Sequence, residues 1–301
     1  MNTTVAETLR QITSQLHSDT PGLDAQVLLA DILGKSRAWL VSHPEAHLTQ
    51  PQLASVKKAL ASLEAGEPLP YVLGHWEFFG LDLEVTPDVL IPRPETELMV
   101  EYAIQWLEAA PKRRTIADVG TGSGCIAVAI ATSIPDARVI ATDISRPALE
   151  VARRNGSRYR VAKRIAFVQC DLLPPHPPGP LGGAGAGDPL PTELHFDLIC
   201  ANLPYIPTNM LKTLEVYGRE PALALDGGAD GLDVVRRLLA IAPEWLAPHG
   251  MILLEIEASQ GLSAVSLAYD VFDNAEIHLH QDLAGHDRLL SIETKIFVDA
   301  G

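Results

Sequence analysis

The sequence predicts an α/β fold: a mainly parallel sheet with an antiparallel C-terminal edge, preceded by a small helical domain. Three observations predict it. Apolar residues recur at helical spacing over residues 5–65, short β-type runs alternate with helical segments beyond Thr115, and the first of those runs ends in the glycine loop Gly120-Thr121-Gly122-Ser123-Gly124. Alternating strands and helices build a parallel sheet whose ligands sit beyond the carboxyl ends of the strands. With 301 residues and 47% hydrophobic content, the chain can bury a full core and still supply a second domain. The expected divisions are a helical domain at residues 1–75, a hairpin and linker at 76–94, and the α/β domain at 95–301.

In the helical domain, Val5, Leu9, Ile12 and Leu16 mark one helix, and Ala25, Leu28, Leu29, Ile32 and Leu33 mark the next. Leu53, Val56, Leu60 and Leu63 mark another, which Gly66 and Pro68 end. Residues 76–85 alternate about Gly80 as a hairpin does, and Pro87, Pro92 and Pro94 stiffen the segment after it. A helix runs from Glu95 to about Ala109, with Leu98, Val100, Tyr102 and Trp106 supplying much of its buried surface.

The alternating region then reads strand 116–119, helix 126–132, strand 138–142, helix 146–155 and strand 165–169. Residues 174–191, rich in Pro and Gly, read as a mobile insertion before the strand at 196–200. A helix at 232–245, a strand at 251–256 and a helical segment at 265–269 come next. Strands at 276–279 and 295–298, paired across a turn at 282–288, would form the antiparallel edge.

The formal net charge of −15 argues against direct nucleic-acid binding, which requires concentrated Lys and Arg; it fits a basic protein partner better, while a solvated acidic surface that simply keeps the molecule soluble is the commoner explanation of such a charge. The 3 cysteines, Cys125, Cys170 and Cys200, lack metal-site spacing and read as buried reduced thiols; no metal is expected. No apolar run reaches the ~20 residues that cross a bilayer, and the N-terminal residues show no signal peptide. A soluble, cytoplasmic protein is the expectation.

Two segments carry chemistry. Asn202-Leu203-Pro204-Tyr205 ends an apolar strand with an amide, a proline and an aromatic ring, and an Asn side chain can grip a planar group bearing an NH2. The loop at Gly120, Gly122 and Gly124 is GxGxG, so Cys125 stands where the dinucleotide fingerprint needs its third glycine. That disfavours a pyrophosphate but still admits a small amino-acid-bearing nucleoside. Asp118 at the first strand end can orient an ammonium group. Asp143 after the second strand has the placement for a ribose diol, and Asp171 with Leu172 after the third offers a polar and apolar grip on adenine. Together the segments point to methyl transfer onto an amide or amino nitrogen.

On these residues the chain resembles the release-factor glutamine methyltransferase family, which methylates the glutamine of the Gly-Gly-Gln motif of peptide-chain release factors. The resemblance extends over Asp24-Ala25, Gly66-Glu67-Pro68-Leu69, Leu90-Ile91-Pro92-Arg93-Pro94-Glu95-Thr96-Glu97, the glycine loop, the Asn202 tetrapeptide and the stretch from Glu220-Pro221-Ala222 to Asp226-Gly227-Gly228. It implies a Rossmann-like class I methyltransferase domain, a helical substrate-recognition domain, S-adenosylmethionine as donor, N5-methylglutamine as product, release factors as partners and a monomer. The expected cofactor-binding set is Asp118, Gly120, Thr121, Gly122, Gly124, Asp143, Ile144, Asp171, Leu172 and Asn202. Asn202, Leu203, Pro204 and Tyr205 form the catalytic set, and Pro92, Arg93, Pro94 and Glu95 join Asn202 and Tyr205 in contacting substrate. The family normally has Asn-Pro-Pro-Tyr, so Leu203 is the main departure, and Leu there also resembles ribosomal RNA adenine dimethyltransferases. Leu203 keeps the backbone carbonyl as an acceptor but loses the fixed φ of proline.

Tyr205 is expected as a flat wall beside the substrate amide and the sulfonium. His75, His249 and His280 have neither a nucleophile nor a ligand pattern around them and read as structural or surface residues. Glu255 and Glu257 flank Ile256 near a strand end, and Glu257 replaces a glycine usual in the family. The competing readings are an adenine N6-methyltransferase acting on RNA or DNA, and a release-factor-binding protein with weakened turnover.

Overall fold

Strong local signals set the first helices. In the computed structural model, which describes residues 3–174 and 194–295, Thr4 caps α1 (Val5–Gln15) by accepting the Glu7 N–H, and the Glu7 carboxylate accepts the Thr4 N–H in return. Such a box satisfies backbone donors that a helix start otherwise leaves unpaired. α2 (Pro21–Leu33) ends at Gly34, whose φ of 60° is the left-handed cap that glycine adopts without strain. α3 (Arg37–Ser42) is capped by Ser36, α4 (Gln50–Glu64) by a Thr49–Gln52 box, and α5 (Leu69–Leu73) comes after them. α3 and α5 are too short to show helical periodicity, so the sequence marks only their flanking breakers. Val5, Ile12, Leu28, Leu29, Leu40, Val56 and Leu60 are buried in a core of their own.

By its contacts the chain divides into Met1–His75 and Trp76–Gly301. β1 (His75–Phe78) and β2 (Leu81–Glu84) pair as a hairpin. Its turn residues, Phe79 at φ 52° and Gly80 at φ 72°, both take the left-handed conformation that matches strand twist. Glu97 accepts the Phe79 N–H at 2.8 Å, tying the hairpin to α6 (Thr96–Ala109). The buried stripe of α6 is Thr96, Met99, Val100, Ala103 and Leu107; of the residues expected to supply it only Val100 is fully covered, while Leu98, Tyr102 and Trp106 flank the stripe half-buried. Residues at i, i+3, i+4 and i+7 share a face, and the sheet-facing arc is the one centred on Ala103.

β3 (Thr115–Val119), α7 (Cys125–Ser133), β4 (Arg138–Asp143), α8 (Arg146–Arg158), β5 (Ile165–Gln169), β6 (Phe196–Ala201), α9 (Thr208–Leu211), α10 (Asp233–Ile241), β7 (Leu246–Glu255), α11 (Gly261–Val271), β8 (Glu276–Gln281) and β9 (Asp287–Glu293) complete the described chain. The strands form a 7-stranded sheet in the order β5-β4-β3-β6-β7-β9-β8. β5, β4, β3, β6 and β7 run parallel, while β9 is antiparallel to both β7 and β8. Its two faces are covered by separate apolar cores, one holding Val119, Ile199 and Leu254, the other Ile116, Leu198 and Leu253.

The final strand differs from the expected one. β8 pairs with Asp287–Glu293 across a turn closed by the Asp282 N–H on the His286 carbonyl, and of residues 295–298 only Lys295 is described. Leu289 enters one core while Leu290 and Ile292 enter the other, so this strand lacks the apolar-polar alternation that marks a half-exposed strand. The expected insertion at 174–191 lies outside the described residues apart from Pro174.

Candidate active site

Strand order reverses between β3 and β6, where parallel α/β sheets open a crevice at their carboxyl ends. Val119 of β3 is in register with Thr142 of β4 and with Ala201 of β6. The glycine loop, Asp143 and Asn202 therefore emerge side by side, although they are far apart in sequence. The Thr121 N–H donates to the Thr142 carbonyl at 2.8 Å and fastens the loop to β4.

Gly120 has φ 72° and Gly124 φ 80°, both conformations that L side chains rarely adopt. A Cβ on Gly124 would also lie 2.9 Å from Ala152 Cβ on α8, so this glycine supplies the close helix packing that the spacing denied to Cys125. Beside Gly122 a Cβ would meet nothing nearer than the Gly120 carbonyl at 4.0 Å, so the loop is unobstructed there.

Asp118 is fully buried beneath the loop. Its Oδ2 accepts the Thr121 hydroxyl at 2.6 Å and the Ala127 N–H at 3.0 Å, while Oδ1 has no hydrogen-bond partner among the described residues. Burial pushes this carboxyl up to about 6 against the two donors. Asp143 accepts the Gly122 N–H at 2.9 Å and the Ser145 N–H at 2.8 Å. Burial raises its pKa, and the N–H groups of Ser145, Gly122 and Ile144 oppose that rise. Each oxygen keeps a further lone pair for a diol. Ile144 next to it is 51% exposed, a large apolar side chain facing outward at a strand end.

At the third strand end the two residues expected to grip adenine take different environments. Asp171 is exposed and paired with Arg237 at 2.5 Å, whereas Leu172 is buried and its carbonyl accepts the Thr142 hydroxyl at 2.6 Å. The partner of Asp171 lies 66 residues away, so adjacency in sequence did not show it.

At the end of β6, Asn202 is half-buried and its Nδ2 donates to Thr96 Oγ1 at 3.0 Å. Thr96 in turn donates to Glu255 Oε2 at 2.6 Å, and the Tyr205 hydroxyl reaches Glu255 Oε1 at 3.4 Å. Sequence reasoning had Thr96 only as a member of the Pro92–Glu97 joint and Glu255 only as a neighbour of Ile256, and missed their link to Asn202. Glu255 is 2% exposed, and burial pushes its carboxyl up to about 7. The same burial raises the Tyr205 phenol well above its ordinary value. Leu203 is buried, its Cδ2 lying against Gly120.

The tetrapeptide's backbone is held from behind. Gln260 Nε2 donates to the Tyr205 carbonyl at 2.9 Å. A Cβ on Gly227 would fall 2.7 Å from the Pro204 carbonyl oxygen, so the glycine of the Asp226-Gly227-Gly228 stretch is needed for that approach. In the preceding joint, Pro92 is buried and Arg93 forms an ion pair with buried Glu220, which also accepts the Ile91 N–H at 3.1 Å. Pro94 and Glu95 are exposed at the start of α6.

The thiols are poor nucleophile candidates. Cys200 is buried, while Cys125 and Cys170 are only half-buried, short of the full burial expected for all of them. Burial pushes Cys125 up to about 12 and Cys170 up to about 11. Among the described residues no group of His, Cys, Asp and Glu is disposed to hold a metal ion, and no helix is long and apolar enough to cross a membrane.

The open glycine loop and the unpartnered Asp118 Oδ1 fit S-adenosylmethionine, which offers an ammonium group and a compact methionine chain. Sheet order, glycine loop and strand-end carboxylates define a class I methyltransferase with S-adenosylmethionine as its cofactor. Residues 116–180 match the methyltransferase domain model, and residues 7–74 match the PrmC N-terminal domain. A release factor glutamine methyltransferase of Moorella thermoacetica is 42% identical over 271 residues, covering 90% of this chain and 90% of its own length. One from Vibrio cholerae is 37% identical over 294 residues, covering 96% of both chains. The chain belongs to the release factor glutamine methyltransferase family. The hMettl16 catalytic domain, solved with MAT2A 3′UTR hairpin 6, aligns over 85% of this chain and 86% of its own at TM-score 0.54; at 12% identity the likeness shows the fold alone.

Proposed function

We propose that the protein methylates the side-chain amide nitrogen of the glutamine in the Gly-Gly-Gln loop of peptide-chain release factors. The observation that carries this reading is the orientation of Asn202. One of its two N–H groups donates to Thr96 Oγ1, which fixes the carboxamide and leaves Oδ1 to accept a hydrogen bond from an incoming NH2. Bound S-adenosylmethionine supplies an electrophilic methyl on a sulfonium.

The chain's own residues do the rest. Asn202 Oδ1 and the Leu203 carbonyl accept hydrogen bonds from the substrate NH2 and hold its nitrogen in line for transfer. The same acceptors favour the positive charge that develops on that nitrogen. No base is needed before attack, because the proton leaves the amide nitrogen for water afterwards. Tyr205, with its hydroxyl turned to Glu255, offers its ring as a wall.

Gly120, Thr121, Gly122 and Gly124 would take the methionine chain, Asp118 its ammonium end, and Asp143 the ribose diol. Ile144 and Leu172 suit the faces of adenine, while Asp171 remains with Arg237. The joint from Pro92 to Glu97, with Arg93 paired to Glu220, frames the entrance. The helical domain recognises the release factor, and the net charge of −15 suits a basic partner better than a nucleic acid.

Labelled S-adenosylmethionine incubated with a release factor, its Gln-to-Ala variant and a structured RNA tests the proposal. Label is expected in the native factor only; label in RNA alone sinks it. Asn202→Ala should lower kcat by roughly 100-fold with cofactor affinity unchanged, as loss of an oriented acceptor does.

A further inference from the structure

We propose that Thr96 and Glu255 are positioning residues which dictate the direction in which the Asn202 carboxamide faces, and so set the site to receive an NH2 donor. The proposal rests on the reading of Asn202 as the acceptor for substrate. Donors and acceptors must match in a closed space, since Thr96 is 1% and Glu255 2% exposed. Thr96 has a single hydroxyl proton, and it goes to Glu255 Oε2 at 2.6 Å. Thr96 Oγ1 therefore has only lone pairs left for Asn202, so Asn202 must point Nδ2 at it, at 3.0 Å. Oδ1 is then the atom left for substrate. The reverse orientation would place one NH2 against another, with no acceptor between them.

An ionised Glu255 is what enforces this polarity. As an acceptor-only group it takes the Thr96 hydroxyl on one oxygen and the Tyr205 hydroxyl, at 3.4 Å, on the other. A proton on Oε2 would instead be donated to Thr96, free the threonine proton to turn toward Asn202, and draw Oδ1 away from the substrate. The groups facing this carboxyl are Arg288 from β9, which favours its charge, and Glu95 before α6, which opposes it. Tyr205 donates to it, and the neutral thiol of Cys125 lies within its field. With the carboxyl pushed up to about 7 by burial, the orientation is held above that pH and lost as pH falls through it.

Asparagine-selective 15N labelling of the full chain reads the relay directly, without substrate. The Asn202 side-chain NH2 signals should shift between pH 6 and 8 in the wild type and stay fixed in Glu255→Gln. Signals that stay fixed in the wild type, or shift equally in the variant, overturn the proposal. In release-factor methylation, Thr96→Val should lower kcat ~10-fold or more with the KM for S-adenosylmethionine unchanged, and Thr96→Ser should restore it. An unchanged kcat in Thr96→Val, or no recovery in Thr96→Ser, also overturns it. A wild-type enzyme that leaves the release factor unmethylated sinks the substrate assignment instead, and the NMR arm still decides the relay.

Discussion

Leu203 Cδ2 lies 3.2 Å from the point that a Cβ on Gly120 would occupy. Leu203 is thus seated on the glycine loop proposed to take the cofactor, so the segment after β6 and the loop after β3 share a contact. Gly120→Ala combines that contact with the cost of φ 72° on a residue with a Cβ. The expected outcome is a rise of ~10-fold or more in the dissociation constant for S-adenosylmethionine by calorimetry. Adding Leu203→Ala should recover only the steric share, because the backbone strain remains. Unchanged affinity in the single variant would show that the loop does not set cofactor approach.

Asp143 joins two backbone donors to the place proposed for the ribose. In Asp143→Asn only one oxygen remains, so either Gly122 or Ser145 faces an NH2 and the diol loses an acceptor. Cofactor affinity should fall ~10-fold to 100-fold, the usual range for charged hydrogen bonds, with kcat at saturating cofactor nearly unchanged. A calorimetric titration and a saturation curve separate the two.

Glu255 should make stability pH-dependent. Its folded pKa, about 7, is above the ordinary carboxyl value of 4.5, so the folded state holds the proton more tightly than the unfolded chain does. Its contribution is largest at low pH and is lost as pH rises toward 7. Glu255→Gln removes that loss, and relative to wild type it should gain roughly 2 kcal/mol between pH 5 and pH 8. Urea unfolding at both pH values measures the difference; equal shifts in the two proteins contradict it.

Glu220 is buried, and Arg93 balances its charge at the joint before α6. Arg93→Ala leaves that carboxylate with the Ile91 N–H alone and should cost about 2 kcal/mol, less than a fully buried pair because Arg93 is 30% exposed. Glu220→Gln keeps an acceptor for Ile91 and should cost less. Hydrogen exchange at the Ile91 amide reports the loosening, and exchange equal to wild type in Arg93→Ala would mean that the pair does not hold the joint.

Much of the architecture was legible because its signals are local. The runs at β3, β4 and β5, the glycine loop and the helix at α8 fall close to where periodicity and breakers put them, since each is bounded by residues that act within a few positions of themselves. β9 was misplaced because a strand covered on both faces carries no alternation. The burial stripe of α6 was shifted because a helix with apolar residues on several sides does not announce which side meets the sheet. In the site, Asn202, Asp143 and the glycines could be found at strand ends. The bond between Thr96 and Glu255 could not, because they are 159 residues apart and individually ordinary.

The sequence by itself determined the family, the α/β class and the residues at the ends of β3, β4 and β6. These depend on motif chemistry and on backbone demands that one glycine or proline expresses at its own position. Only the tertiary structure decided that Asp171 is taken by Arg237, that Leu203 rests on Gly120, and that Glu255 stands behind Asn202 through Thr96. The reason is physical: pairing, packing and pKa depend on which groups share a dry space, and the fold sets that sharing across distances the chain order does not encode.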